Sequence, residues 1–299
     1  MQGVSAEQPE DKRKRLEDLK AEAEKGDPAA QYRLGLCYFN GDDVDNGLAT
    51  AAKWFRKAAD QGYPAAQYQL GIIYSFDLVA PTADLAQAAK YFHKAAEQGY
   101  VDAEYMLGLY YSRGNGVAKD MTEARKWIGN AAERGHPDAQ VTLGLWCYKG
   151  ESASKDQVKA VKWFRNAAEL GNAEAQFQLG VCYAFGEGVA TDAAQAMGWY
   201  KKSAQQGYVA AQYNLALGYY QGKGAGRSLI EADKWMRLAA RKYHPAAQNL
   251  PIIEGLMTKA QTAQAKELAE NFRARVTVPP RSDPSGAMTN VVHGTEKSR

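Results

Sequence analysis

The side chains of this 299-residue chain best suited to nucleophilic, acid–base or metal chemistry are His93, His136, His244 and His293, together with Cys37, Cys147 and Cys182. Covalent catalysis needs a nucleophile, a base and a group that orients the base. His136 and His244 stand directly before Pro137 and Pro245 and read as turn surface. His93 lies among lysines, and His293 falls in a C-terminal stretch without periodicity. No Cys/His or Ser/His/Asp pairing emerges. The acidic stretch "NGDDVDNG" (residues 40–47) lacks the twelve-residue ligand spacing and distal Glu of an EF-hand, so it reads as a solvated loop with helix-capping Asp. "GNGVAKD" (114–120) and "GEGVATD" (186–192) contain Gly-x-Gly, but no strand precedes them and no GK[ST] follows. They read as tight connectors, not phosphate cradles. The expectation is a non-enzyme with no catalytic residues, no cofactor and no metal.

With 45% hydrophobic and 24% charged residues, the chain has globular composition. Residues 273–299 hold five basic and two acidic side chains, which leaves 32 of each sign in residues 1–272. A neutral body lacks the concentrated cationic surface that nucleic-acid binding requires. No apolar run is long enough to span a bilayer, and the opening "MQGVSAEQPEDKRKRLEDLK" has no apolar signal segment. These features predict a cytoplasmic protein, or a periplasmic one if a signal peptide has been removed ahead of Gln2. Three cysteines without a CxxC suit reduced thiols.

The elements that must carry any site form a repeat. "AAxxG" turns place Gly26, Gly62, Gly99, Gly135, Gly171 and Gly207 in line, followed by Tyr243, at steps of 36 or 37 residues. Such a period marks a solenoid of stacked hairpins. Each copy holds a helix A (near 28–40, 64–76, 101–113, 137–149, 173–185, 209–221 and 245–257) and a helix B (near 46–61, 82–98, 121–134, 155–170, 191–206 and 228–242). Pro28, Pro64, Pro137 and Pro245 suit a first helical position, and Asp27 can cap the helix it precedes. A glycine recurs inside helix A at 35, 71, 108, 144 and 180. It costs about 1 kcal/mol against Ala, so it predicts close packing against helix B.

"AEYMLGLYYSRGNGVAKDMTEARKWIGNAAERG", Ala103 to Gly135, resembles the Sel-one-like repeat, a relative of the tetratricopeptide repeat, and the resemblance extends over roughly residues 26–260. Copy two departs from the pattern at Asp77 and "DLVAPTAD", and copy seven has Pro251 for the glycine. The resemblance implies an all-α fold, a right-handed α-solenoid (superhelix) of helix-turn-helix repeats of about 36 residues. The expected organisation is a flexible N-terminus (1–11), a solenoid (12–272) with an N-cap helix, six full repeats and C-terminal capping helices, and a flexible tail (273–299). Leu268 and Phe272 are expected to cover the last pair. The resemblance also implies a protein-interaction scaffold or adaptor that holds a peptide or protein in a concave groove, acting as a monomer. The alternative is a bacterial immunity protein that binds and neutralises a toxin effector.

With the helix A glycine as position 0 and 100° per residue, positions −5, −4, −3, −1, 0, +1 and +3 follow chemical rules from copy to copy, whereas −6, −2, +2 and +5 do not. That free arc supplies the candidate groove: Arg33, Gln69, Phe76, Asp102, Met106, Tyr110, Arg113, Asp138, Thr142, Trp146, Lys149, Glu174, Gln178 and Phe185. Leu143 is assigned to the core and Trp146 to the groove. Leu143→Ala is therefore expected to cost about 2–5 kcal/mol of stability, and Trp146→Ala to cost little stability while weakening partner binding by about 2 kcal/mol or more.

Overall fold

The computed structural model describes residues 9–41, 47–76, 84–150 and 155–276, and among them lie fifteen α-helices and no strand. Helix A of successive copies is α2 (Pro28–Asn40), α4 (Pro64–Ser75), α6 (Val101–Arg113), α8 (Pro137–Lys149), α10 (Ala173–Phe185), α12 (Val209–Gln221) and α14 (His244–Glu254). Helix B is α3 (Leu48–Asp60), α5 (Leu85–Glu97), α7 (Met121–Glu133), α9 (Gln157–Glu169), α11 (Ala193–Gln205) and α13 (Leu229–Ala240). α1 (Pro9–Glu24) precedes the first copy and α15 (Lys259–Val276) follows α14. Of the expected flexible ends, residues 9–11 belong to α1 and 273–276 to α15; residues 1–8 and 277–299, and the departure at Asp77, lie outside the described residues. The fold is all-α, an α-solenoid of helix-turn-helix repeats.

Local chemistry sets the boundaries. Helix B starts where a side chain can take up an orphan N–H: Asp84 accepts from Gln87 and Asp192 from Gln195, each at 2.9 Å, and Asp120 accepts from Thr122 at 2.8 Å. Helix A of copy five is capped by Asn172 and that of copy one by Asp27, ahead of Pro28. The second glycine of the Gly-x-Gly connectors has a steric role. At Gly116 (φ 65°) and Gly224 (φ 71°) the loop turns left-handed and presses onto the start of the preceding helix B. An added Cβ would run into the carbonyl of Leu85 or of Ala193.

Packing divides the chain into two compact units, Met1–Ala167 and Ala168–Arg299. Both units use the same contact between the helices of a pair, in which helix A lays its glycine against a large side chain of helix B. A Cβ built on Gly35 would stand 2.6 Å from the Phe55 ring, on Gly71 2.5 Å from Phe92, and on Gly144 2.5 Å from Phe164. In the second unit, Gly180 meets Tyr200 at 2.7 Å in the same way. Those rings are buried, and so are the Ala-Ala pairs of α3, α5, α7 and α9.

A polar clasp joins one copy to the next. The buried amide at position −4 donates to a carbonyl near the end of the preceding helix B: Gln31 to Ala23 (3.1 Å), Gln67 to Ala59 (3.3 Å) and Gln140 to Ala132 (3.0 Å) in the first unit, Gln176 to Ala168 (3.1 Å) and Gln212 to Ala204 (3.3 Å) in the second. A second amide, at the end of the following helix B, closes the clasp: Gln61 donates to Gln31 Oε1 at 2.8 Å, Gln98 to Gln67 Oε1 at 2.7 Å and Gln206 to Gln176 Oε1 at 2.9 Å. Copy three exchanges both partners. Arg134 Nη1 donates to Glu104 Oε1 at 3.2 Å and to the Gly99 carbonyl at 2.6 Å.

The ends are closed by non-repeat helices. Leu16, Leu19 and Ala23 of α1 pack with Ala30 and Leu34. At the other end, Phe272 of α15 meets Trp235 edge-on with centroids 5.1 Å apart, and Leu268 is half-buried. Arg237 bridges two acids there, the fully buried Asp233 and Glu254 of α14, and burial pushes the Asp233 carboxyl above its usual range against the pull of Arg237.

Two glycines in helix interiors separate steric need from propensity. Gly144→Ala drives a methyl into Phe164 and is expected to lower stability by about 1–3 kcal/mol. Gly129→Ala, where nothing lies within 4 Å of the new Cβ, is expected to raise it by about 0.5–1 kcal/mol. Denaturant midpoints of the two variants should move in opposite directions.

Candidate functional site

The candidate groove residues divide by environment. In the first unit, Gln69, Met106, Tyr110 and Trp146 are buried, while Phe76, Asp102, Asp138 and Thr142 are half-buried and Arg33, Arg113 and Lys149 exposed. In the second unit, Glu174 and Gln178 are half-buried, and Phe185 is 71% exposed at the end of α10. Arg33 pairs with Glu22 of α1 at 3.1 Å.

The expectation that position +2 is free of packing is corrected. Trp146 is as buried as Leu143, at 7% and 9% exposure, and both belong to the cluster of Ala124, Ile128 and Ala131. Tyr110 sits edge-on to Phe92 at 5.2 Å, and its hydroxyl meets Ser75 of α4. Helix α6 therefore touches its own helix B and also α4 and α5 of the preceding copy, which narrows the arc left for solvent.

A cavity of about 510 Å3 opens in the first unit between α6, the start of α7 and α8. It brings together three of the expected residues, Arg113, Thr142 and Trp146, with five that the repeat pattern had assigned to packing or passed over: Tyr105, Leu109, Ser112, Lys119 and Met121. The aromatic and apolar groups form its walls, and the exposed Arg113 and Lys119 stand on its rim. Neither cation has an ion pair or side-chain hydrogen bond among the described residues. Both hydroxyl protons are used internally, Thr142 donating to the Asp138 carbonyl and Ser112 to the Leu109 carbonyl, each at 2.8 Å. What the cavity offers is apolar contact, positive charge and hydroxyl lone pairs.

His136 fixes the joint beside this cavity. It is the N-cap of α8, and its Nδ1 accepts the Ala139 N–H at 3.2 Å. Nε2 lies 3.5 Å from Asp102 Oδ1, and the ring packs on Tyr105 at 4.6 Å. Burial pushes the imidazole below the ordinary histidine range, against the pull of Asp102 and Asp138. The geometry assigns the proton to Nε2 and leaves Nδ1 as the cap acceptor.

Elsewhere the titratable side chains are dispersed. His93 lies 3.4 Å from Glu97, His244 pairs with Gln248, and His293 is outside the described residues. Among the described residues, no group of His, Cys, Asp and Glu is arranged to hold a metal, and no helix is long and apolar enough to cross a membrane. Cys37, Cys147 and Cys182 form no disulfide, and burial pushes Cys182 up to about 11, far from the thiolate form.

A tandem array of hairpins with regular packing positions and a variable helix A face defines a helical-repeat scaffold. The chain belongs to the Sel1 repeat family, whose model matches six consecutive copies at residues 28–63, 64–100, 101–136, 137–172, 173–208 and 209–244. Among solved structures it is similar to a protective antigen present in uropathogenic Escherichia coli strains and displaying an SLR fold. That likeness runs at 36% identity and TM-score 0.77, over 87% of this chain and 56% of that one. It is also similar to a Sel1 repeat protein from Oxalobacter formigenes, at 34% identity and TM-score 0.74, over 81% of this chain and 70% of that one. The chain thus spans little more than half the length of the antigen. A search of the curated proteins finds no match.

Two outcomes follow from this site. Trp146→Ala is expected to cost about 3–5 kcal/mol, comparable with Leu143→Ala, as read by denaturant melts. The neutral imidazole is favoured in the fold, so stability is complete above the unfolded-state value of about 6.5 and falls as pH drops below it. His136→Asn keeps a cap acceptor, as Asn172 does in copy five, and should flatten the drop in melting temperature between about pH 7 and pH 5.5.

Proposed function

We propose that the chain is a non-enzymatic scaffold that binds a protein or peptide partner on its helix A face, with the cavity between α6, α7 and α8 as a principal point of engagement. One observation carries this reading. The packing positions repeat from copy to copy, while copies three and four gather unlike side chains around an open cavity with two unpaired cations on its rim. Aromatic and Arg side chains beside a partly desolvated hollow are the composition of binding hot spots. Family membership supports an interaction role, and the dispersed titratable groups give no competing chemistry. The groove residues Asp102, Asp138 and Lys149 flank the cavity on α6 and α8 and are proposed as its polar surround.

Thr142→Arg places a long charged chain in the cavity. Affinity capture from a lysate of the source organism, compared between the original protein and this variant by quantitative mass spectrometry, should show at least one protein depleted about tenfold or more, with melting temperatures matched. Equal recovery by both forms would sink the proposal. A toxin as the depleted protein, with growth rescue on co-expression, would give the scaffold an inhibitory role.

A further inference from the structure

Copy three keeps only one member of a pair that copies four and six carry together. The residue just before the helix B cap is a cation in copies three, four and six: Lys119, Lys155 and Arg227. Position +4 of helix A is Tyr148 in copy four and Tyr220 in copy six, and the cation lies over that ring, Lys155 at 5.3 Å and Arg227 at 5.9 Å from the centroid. In copy three, position +4 is Ser112. The ring is missing, Lys119 has no platform, and the space is part of the 510 Å3 cavity. Arg113, one residue further along α6, adds a second unpaired cation at the same rim.

From this geometry we infer that the cavity recognises an acidic peptide segment in which an apolar or aromatic side chain adjoins Asp or Glu. This rests on reading the cavity as the partner site. The apolar side chain replaces the absent tyrosine ring against Trp146, Tyr105, Leu109 and Met121, and the carboxylate answers Arg113 and Lys119. Because Ser112 and Thr142 have spent their protons on backbone carbonyls, their oxygens accept. A peptide supplies N–H donors to them, and a free phosphate at neutral pH is a poorer match. The volume lies within the range of small-ligand pockets and is ample for one large side chain and its neighbour.

The test uses an array of fluorescent seven-residue peptides with a central Phe, Trp or Leu flanked by Glu or Asp at varied spacing, against the full chain. Counterparts carry Gln and Asn in place of the acids, or Ala at the centre. At least one acidic member should bind with a dissociation constant below about 1 mM, and weaken about tenfold when its acids are amidated, when its centre is Ala, or when salt rises from about 50 to 500 mM. Ser112→Tyr builds the ring that copies four and six already carry, so it should fold normally and abolish binding. Arg113→Gln with Lys119→Gln should weaken the acidic peptide about tenfold and leave its amidated counterpart unchanged. No binder in the array, equal binding of the amidated peptides, unchanged affinity in both variants, or displacement by inorganic phosphate at low millimolar concentration each overturns the inference. A partner lost on Thr142→Arg but kept by the double Gln variant would leave the scaffold reading standing and this one refuted.

Discussion

The structure depends on the missing side chain in the middle of helix A. At Gly35, Gly71, Gly144 and Gly180 a ring from the paired helix B lies where a β-carbon would have to be. That contact sets the spacing within each hairpin, and the spacing brings the Ala-Ala pairs and the leucines at position −1 together into a core. The glycine's loss of helix propensity is offset locally by the burial of an aromatic side chain. Copy three keeps the glycine but opposes it with Ile128, and copy six has Ala216 there, in one fully buried cluster with Met236. The rule is thus one of combined volume across the contact, not of any single residue.

Helix boundaries were legible because each end carries its own chemistry: proline at the first position, an Asp or Asn cap, a glycine at the turn. The six copies delimited by the family match fall on the period read from the Gly turns. Leu16 and Phe272 stand in short amphipathic stretches outside the repeat, and each packs on the cluster at its end of the array.

The surface was less legible, for a geometric reason. Placing residues at 100° around one helix describes that helix alone, yet Tyr110 is covered by Phe92 and Ser75 of the preceding copy. Variation at a position therefore marked, in part, where different copies solve the same packing problem differently. The reverse also holds. Lys119 and Ser112 sit in a connector and at a helix end, and only a comparison of two positions at once, across copies, exposes the cation that has lost its ring. Asp233 and Glu254 were invisible for a related reason, because their pairing through Arg237 brings two successive helices together at a site with no counterpart in other copies.

The clasp between copies also bears on how the chain avoids assembling in the wrong order. Tandem sequences of high self-similarity invite one hairpin to dock where another belongs, either along the chain or between chains. At copies one, two and five both members of the joint are amides, but at copy three they are Glu104 and Arg134, with Glu104 buried and burial resisting its charge. Both partners belong to copy three, so pairing α6 with the helix B of another copy would set that carboxylate against an amide and leave Arg134 without its acid, a mismatch that costs more than a lost neutral hydrogen bond. One exchanged pair thus marks which helix A belongs with which helix B, in charge as well as in shape.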